Sequence, residues 1–392
     1  MPSSLRSDLI LGIETSCDET AAAVLRGPRE VLSNVVASQV PVHQRYGGVV
    51  PELASRQHIL VIDAVLKEAL QRANVRLEDL GGVAVTYGPG LVGSLLVGIS
   101  VAKAIAMVHS LPLAAVNHHE GHIRSLFIEH GELPAPALVL MVSGGDTSLY
   151  LVPEPEVYRP LAHTRDDAAG EAYDKVAKLL GLGYPGGPII DRLAAQGDPK
   201  AVPFTRPRMS DGTLDFSFSG MKTAVLRHVQ ARGLGSIGSS TGSSIESRES
   251  AAAGGTRAAV EPRMERDTGA TGPSPAGDGG GSEPPARDIS QEVLDLLASF
   301  QEALVGYLVD QTIRAVRLTS ARSIGLSGGV ACNSRLRRMM REAGERLGLP
   351  VFHPSAALTT DNAAMIASAG YGHLMRGRTA DLTLNADPSA RL

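Results

Sequence analysis

The stretch Leu9-Ile10-Leu11-Gly12-Ile13, then Glu14-Thr15-Ser16-Cys17-Asp18-Glu19-Thr20, then Ala21-Ala22-Ala23-Val24-Leu25 reads as strand, polar turn, strand. A short apolar run bounded by turn residues is the pattern of a buried strand. The same design returns downstream. Ala137 to Val142 is apolar, Ser143-Gly144-Gly145-Asp146-Thr147 is a turn, and Ser148 to Val152 is apolar again. Two hairpins of one design predict a duplicated α/β domain. A third turn differs: Ser323 to Leu326 is a short strand, Ser327-Gly328-Gly329-Val330 a glycine-rich turn, and Asn333 to Leu347 a helix. Strand, glycine-rich turn and helix can set backbone N–H groups against a phosphate.

Working outward, Val116-Asn117-His118-His119-Glu120-Gly121-His122 opens another predicted helix. Side chains four apart lie on one helical face, so His118 and His122 can grip a single ion. Thr359-Thr360-Asp361-Asn362 offers an acidic third ligand in Asp361. Two imidazoles and one carboxylate leave coordination positions open, as a catalytic metal requires. A zinc-protease reading fails on register. His-Glu-x-x-His starting at His119-Glu120 needs a histidine where Ile123 stands. Glu120 points well away from His118 around the helix, and His119 is left as a supporting or surface residue.

The chain has 392 residues, enough for two domains, and is 43% hydrophobic, as a packed protein is. The net charge of −4 gives no bulk signature of nucleic-acid binding. Arg335, Arg337, Arg338 and Arg341 share one predicted helix, and Arg206-Pro207-Arg208 makes a second basic spot, but a solvated helix face explains the first equally well. Two cysteines, Cys17 and Cys332, cannot build a disulfide framework, which fits a reducing compartment. No signal peptide is visible. The apolar run Leu91 to Val108 carries Gly93, Ser94, Gly98, Ser100 and Lys103, and reads as a buried helix packed through its small residues. Residues 231–287 are Gly, Ser, Ala, Pro and mixed charge, without an aromatic. They read as a disordered insertion, because so little apolar area cannot offset the ordering entropy. Further predicted helices run from Pro51 to Ala73, Gly170 to Leu180, Gly220 to Gln230 and Ile289 to Leu318. Asp174 and Lys178, four apart, read as a solvated pair.

Together these strings resemble one family. They are Gly12 to Thr20, Gly47-Gly48-Val49-Val50-Pro51-Glu52, Gly88-Pro89-Gly90-Leu91, His118 to His122, Ser143-Gly144-Gly145, Asp166 to Glu171 with Asp174-Lys175, Phe216 to Thr223, Ser327 to Asn333, and Thr360-Asp361-Asn362. The chain resembles the bacterial tRNA adenosine threonylcarbamoyltransferases, once labelled sialoglycoproteases. The resemblance covers nearly everything except the insertion and the two ends.

The resemblance implies an actin-like, sugar-kinase-like (ASKHA) α/β fold of two lobes with duplicated ribonuclease-H-like cores. One lobe would comprise residues 1–133 with 355–392, the other 134–354. It implies transfer of a threonylcarbamoyl group from threonylcarbamoyl-adenylate to the exocyclic amine of the adenosine just 3′ of the anticodon, in tRNAs reading codons that begin with A, with release of AMP. The metal, Fe(2+) or alternatively zinc, would be held by His118, His122 and Asp361. Met141, Val142, Ser143, Gly144, Gly145, Asp174, Gly187, Asp191 and Asn333 match the family's nucleotide-binding segments, and Asp18 and Glu19 are the acid–base candidates. The implied partners are tRNA, an inactive paralogue and a small ATPase, with the donor made by a separate synthase, in the cytoplasm and away from membranes. Asp146 departs from the family, which commonly has His there, and alternation along a strand would turn it away from the substrate. An ATP-dependent small-molecule kinase, with Glu14 at its strand end, and a non-catalytic paralogue are the alternatives.

Overall fold

Strand β1 (Leu9–Glu14) is buried on both faces, and its alternation divides the first core in two. Leu11 and Ile13 pack with helices α2 (Pro51–Ala73) and α3 (Val92–His109), whereas Ile10 packs with α11 (Ala363–Met375). Gly12 faces α11 as well. A Cβ at Gly12 would meet the Ala363 carbonyl oxygen at 2.3 Å, so the bare backbone lets the start of α11 lie directly on β1. Asp361 immediately precedes that helix.

The computed structural model describes residues 5–234 and 289–392. The first sheet joins β1 to β2 (Glu19–Arg26), β3 (Glu30–Ser38), β4 (Gly82–Gly88) and β5 (Leu113–Asn117) in the order β3-β2-β1-β4-β5. The second joins β6 (Ala137–Val142), β7 (Thr147–Glu154), β8 (Val157–His163), β9 (Ser323–Ser327) and β10 (Val351–Phe352) in the order β10-β9-β6-β7-β8. Read from the hairpin side, the two orders are the same. In each, the first three strands are antiparallel and the last two run parallel to the first. The predicted duplication is therefore present strand for strand, and both sheets belong to one compact unit.

Helix α1 (Val40–His43) follows β3, and α4 (His118–His130) follows β5 without a linker. Helices α5 (Ala169–Leu179), α6 (Gly186–Ala194), α7 (Ser219–Arg232), α8 (Gln291–Thr319) and α9 (Ser334–Leu347) serve the second sheet, and α10 (Ala356–Thr359) leads into α11. Asp166 ties two of the sequence strings together. Its carboxylate accepts from the Phe218 and Ser219 amides and from the Ser217 and Ser219 hydroxyls at the start of α7. Next to it, Asp167 pairs with Lys175 and Lys222.

Three expectations need correction. Helix α3 is not a buried helix: only 33% of its residues are buried, and Val92, Leu96, Met107 and Val108 are exposed. Its small residues do make the close approach, since Gly98 donates to Thr15 Oγ1 and a Cβ there would meet that oxygen at 2.5 Å. By length and composition alone α3 is also the one helix among the described residues that could cross a membrane. The insertion does not begin at Ala231, because α7 continues to Arg232 and ends on Gly233 in the left-handed conformation; the rest of it, from 235 onward, lies outside the described residues. Asp174 and Lys178 do not pair. Asp174 accepts from the Gly186 amide, and Lys178 reaches the Tyr46 carbonyl.

Candidate active site

Helix α4 begins at His118 because β5 ends in Asn117, whose side chain accepts from the His119 amide and caps the first turn. That start sets His118 and His122 one above the other. Helix α11 is capped the same way by Asn362, which fixes the preceding Asp361. Gly121 lets the two helices touch, because a Cβ there would meet Ile366 of α11 at 2.8 Å. On the far side of α4, Glu120 pairs with His373 of α11 at 3.0 Å, and Arg124 donates to Ser368. Glu120 is thus spent on packing, in keeping with its direction around the helix.

The three predicted ligands meet. His122 Nε2 lies 3.1 Å from Asp361 Oδ1 and 3.1 Å from His118 Nε2, and His118 Nε2 lies 3.6 Å from Asp361 Oδ1. Bonds of about 2.1 Å to one ion, opened at right to tetrahedral angles, separate ligand atoms by about 3.0–3.4 Å. Two of the three separations fall in that range and the His118–Asp361 separation of 3.6 Å is slightly wider, so a small inward shift of one side chain suits a divalent cation, and the three residues form a compact ligand group. Burial raises the Asp361 carboxyl, but His118 and His122 more than reverse this and hold it down at about 2. Burial opposes charge on His118 too, and there Asp361 and Glu14 win and lift it to about 9.

Glu14 is the residue whose role the sequence left unassigned. It is fully buried at the end of β1. Its Oε2 stands 3.1 Å from His118 Nδ1 and accepts from Thr86 Oγ1 at 2.6 Å, while Oε1 accepts from the Ser16 amide. With Nδ1 directed at Glu14, Nε2 of His118 is the ring nitrogen that faces His122 and Asp361 and is free to ligate once its proton is displaced. A carboxylate behind an imidazole fixes its tautomer and raises its basicity as a ligand. The signal was present in the sequence: an ionisable residue ends a strand that is otherwise apolar.

Asp18 is buried in the turn, and Glu19, half-buried, opens β2. Burial first, then Asp18 and Asp361, push the Glu19 carboxyl up to about 10. The same burial and carboxylates raise the Cys17 thiol.

The second group of predicted residues is linked contact by contact. Met141 and Val142 end the buried β6, and the Ser143 carbonyl accepts from the Gly170 amide at the start of α5. One turn along α5, Asp174 accepts from Gly186 at 2.7 Å, and burial, with Asp18 and Glu171 adding, lifts its carboxyl to about 6. Asn333 donates to Gln301 and Tyr173 and caps α9 through Leu336. Asp191 accepts from the amide and hydroxyl of Ser334. Gly144, Gly145 and Gly187 have nothing within 4 Å of the place a Cβ would occupy. So a run of contacts links these residues from β6 through α5 and α6 to α9, with Gly144, Gly145 and Gly187 left open and Asp191 and Asn333 engaged with Ser334, Gln301 and Tyr173.

Asp146 departs from expectation. It belongs to the turn rather than to a strand, so strand alternation does not set its direction, and its carboxylate is paired. It accepts from Ser148 Oγ at 2.7 Å and stands 3.7 Å from His119 Nε2. His119 in turn meets the Tyr150 hydroxyl at 3.0 Å, and burial with the two neighbouring imidazoles drives its pKa down to about 3. His119 is therefore an interior, neutral bridge from α4 to β7.

Two five-stranded sheets of one topology, joined at a two-histidine, one-aspartate site, define an actin-like, sugar-kinase-like α/β protein. The fold matches HypF from T. kodakarensis with a TM-score of 0.55 at 15% identity, over 96% of this chain and 49% of that one. It also matches full-length HypF, solved in a phosphate- and nucleotide-bound form, with a TM-score of 0.53 at 13% identity, over 96% of this chain and 57% of that one. The family model for tRNA N6-adenosine threonylcarbamoyltransferase spans residues 30–368, and the chain belongs to that family. Relatives bearing this name are 48% identical over 378 residues in Syntrophotalea carbinolica, covering 96% of this chain and 95% of that one. In Koribacter versatilis the relative is 45% identical over 405 aligned positions, covering 98% and 99%.

Proposed function

We propose that this site transfers the threonylcarbamoyl group of threonylcarbamoyl-adenylate to N6 of the adenosine just 3′ of the tRNA anticodon. One observation carries the reading: in a chain of this family, imidazoles near residue 120 and a carboxylate at 361 converge beside an acidic turn and an open glycine-rich turn. In the reaction the N6–carbon bond forms, the bond from the carbamoyl carbon to the phosphate oxygen breaks, AMP leaves with the electron pair, and N6 gives up a proton. The adenine amine is a weak nucleophile, so the donor carbonyl must be polarised, the leaving phosphate stabilised and the proton accepted.

His118, His122 and Asp361 would hold the divalent metal, which supplies Lewis acidity toward donor oxygens; Fe(2+) is the proposed ion and zinc the alternative. Glu14 holds His118 in the ligating tautomer. The Gly144 and Gly145 amides receive the phosphate, since no side chain stands in the way. Met141, Val142 and Ser143 set that turn, Gly187 leaves room beside it, and Asp174 and Asp191 accept from ribose hydroxyls. Asn333 fixes the wall. Glu19, protonated near neutral pH, is a hydrogen-bond donor in the turn, and Asp18 beside it takes the N6 proton. The kinase alternative is not favoured, because Glu14 is committed to His118.

The lobes are proposed as 1–133 with 355–392, and 134–354, which assigns each sheet and α11 to one lobe. Transfer is proposed to need an inactive paralogue and a small ATPase, with the donor made by a separate synthase in the cytoplasm. The exposed Ile59 and Leu96, which line a groove of about 450 Å³ between α2 and α3, support a protein partner there, and the paralogue is the proposed occupant.

The test is to incubate the full chain with partners, donor synthase, threonine, bicarbonate, ATP and unmodified tRNA, then digest the tRNA and weigh its nucleosides. The threonylcarbamoyl mass on adenosine is expected. Its absence with a folded, metal-loaded protein would refute the reading.

A further inference from the structure

Three buried polar side chains outside the His118–His122–Asp361 group lie behind the acidic turn. His43 and His58 are fully buried, and Gln39 is 2% exposed. Buried polar groups without partners cost about 1–3 kcal/mol each, so their connections are informative. His58 Nε2 lies 2.9 Å from the Cys17 carbonyl oxygen, which can only accept, so that nitrogen carries the proton. His58 Nδ1 is then an acceptor. Its one lone pair takes the Thr20 hydroxyl at 2.7 Å and is shared with the Gln39 amide in a longer contact at 3.3 Å. The other Gln39 amide hydrogen goes to the Ala54 carbonyl at 3.4 Å. Gln39 Oε1 accepts from His43 Nε2 at 3.1 Å, which leaves His43 Nδ1 to accept from the Val50 amide at 3.3 Å.

The protons thus all point one way, from Val50 through His43, Gln39 and His58 to Cys17, with both rings neutral. Burial, which lowers the His58 pKa, agrees. The Gln39 backbone amide adds a bond to the Asp18 carbonyl at 2.9 Å. Two successive carbonyls ahead of Glu19 are therefore gripped, one by His58 of α2 and the other by the Gln39 backbone. The other end of the chain lies in the Gly47-Gly48 loop, where Tyr46 meets Lys178 of α5, the helix that carries Asp174.

We propose that His43, Gln39 and His58 are positioning residues for the transfer reaction, their one-directional hydrogen-bond chain fixing the Cys17 carbonyl and so the aim of the Asp18–Glu19 turn. This rests on the acid–base reading of that turn. A misplacement of about 1 Å at reacting groups can cost about 10²-fold in rate.

The test uses the full chain with its partners, tRNA and donor. His58→Leu removes both ring contacts and is expected to lower kcat about 10²-fold with donor KM and metal content unchanged. His58→Gln restores a donor near the Nε2 position and is expected to recover about tenfold of that loss, as one hydrogen bond is worth. Gln39→Leu, which interrupts the chain in its middle, should behave like His58→Leu and serves if that variant does not fold. A His58→Leu protein that melts as the wild type and transfers at the wild-type rate would overturn the inference. So would equal losses in His58→Leu and His58→Gln that follow thermal stability alone. Asp18→Asn and Glu19→Gln separate the two claims: full activity in both removes the acid–base reading itself, whereas inactivity in both beside an unimpaired His58→Leu removes only the relay.

Discussion

The turn after β1 and the turn after β6 occupy equivalent places in two sheets of identical topology, yet they do opposite things. The first carries Glu14, Asp18 and Glu19, is largely buried, and sets the Glu14 carboxylate against the His118 imidazole. The second keeps one carboxylate, Asp146 beside the His119 imidazole, but leaves Gly144 and Gly145 bare, with nothing within 4 Å of a Cβ there. A duplicated scaffold carries two hairpin ends of different residue chemistry, and the proposed division of labour follows from it: carboxylates to support a metal and move protons, bare amides to receive a phosphate.

The largest test of that division removes a ligand on the acidic side. Asp361→Ala or His122→Ala is expected to lose bound metal and at least about 10³-fold in transfer rate, since supporting residues alone are worth about 10–100-fold. Metal content by plasma mass spectrometry and nucleoside mass analysis check it. Glu14→Gln should cost that smaller factor of about 10–100 in metal affinity, measured by competition with a chelator, with the fold intact. Wild-type affinity in Glu14→Gln would show that the two turns differ less than their hydrogen bonds imply.

Glycine substitutions sharpen the contrast. Gly12→Ala drives a methyl group into the Ala363 carbonyl and should destabilise by about 1–3 kcal/mol, read as a lower melting temperature. Gly144→Ala meets nothing, so the melting temperature should hold while donor KM rises. The smallest effect is expected from Asp174. Its raised pKa of about 6 means that the carboxylate is lost as pH falls through 6, so donor affinity should weaken from pH 7 to pH 5. Asp174→Asn should flatten that profile.

Much of this was legible locally. Alternating and continuous apolar runs gave both hairpins, and four-residue spacing placed His118 and His122 on one helical face. The exposed face of α3 was not legible, because an apolar run looks the same whether it is covered by its own chain or left open. Asp146 was misread because strand alternation was extended into a turn. Glu14 was ambiguous because a buried carboxylate at a strand end has the same sequence signature whether it serves a substrate hydroxyl or an imidazole.

The sequence by itself determined the duplicated strand–turn–strand design, the histidine pair and the family, since each is written in residues close together in the chain. Only the tertiary structure decided that Asp361 reaches those histidines, that Glu14 holds one of them, and that a buried chain from Val50 ends on Cys17. The reason is physical. Local patterns fix backbone conformation and which face is apolar, whereas long-range partners depend on how closely helices approach, and here Gly12 and Gly121 set that approach for α11.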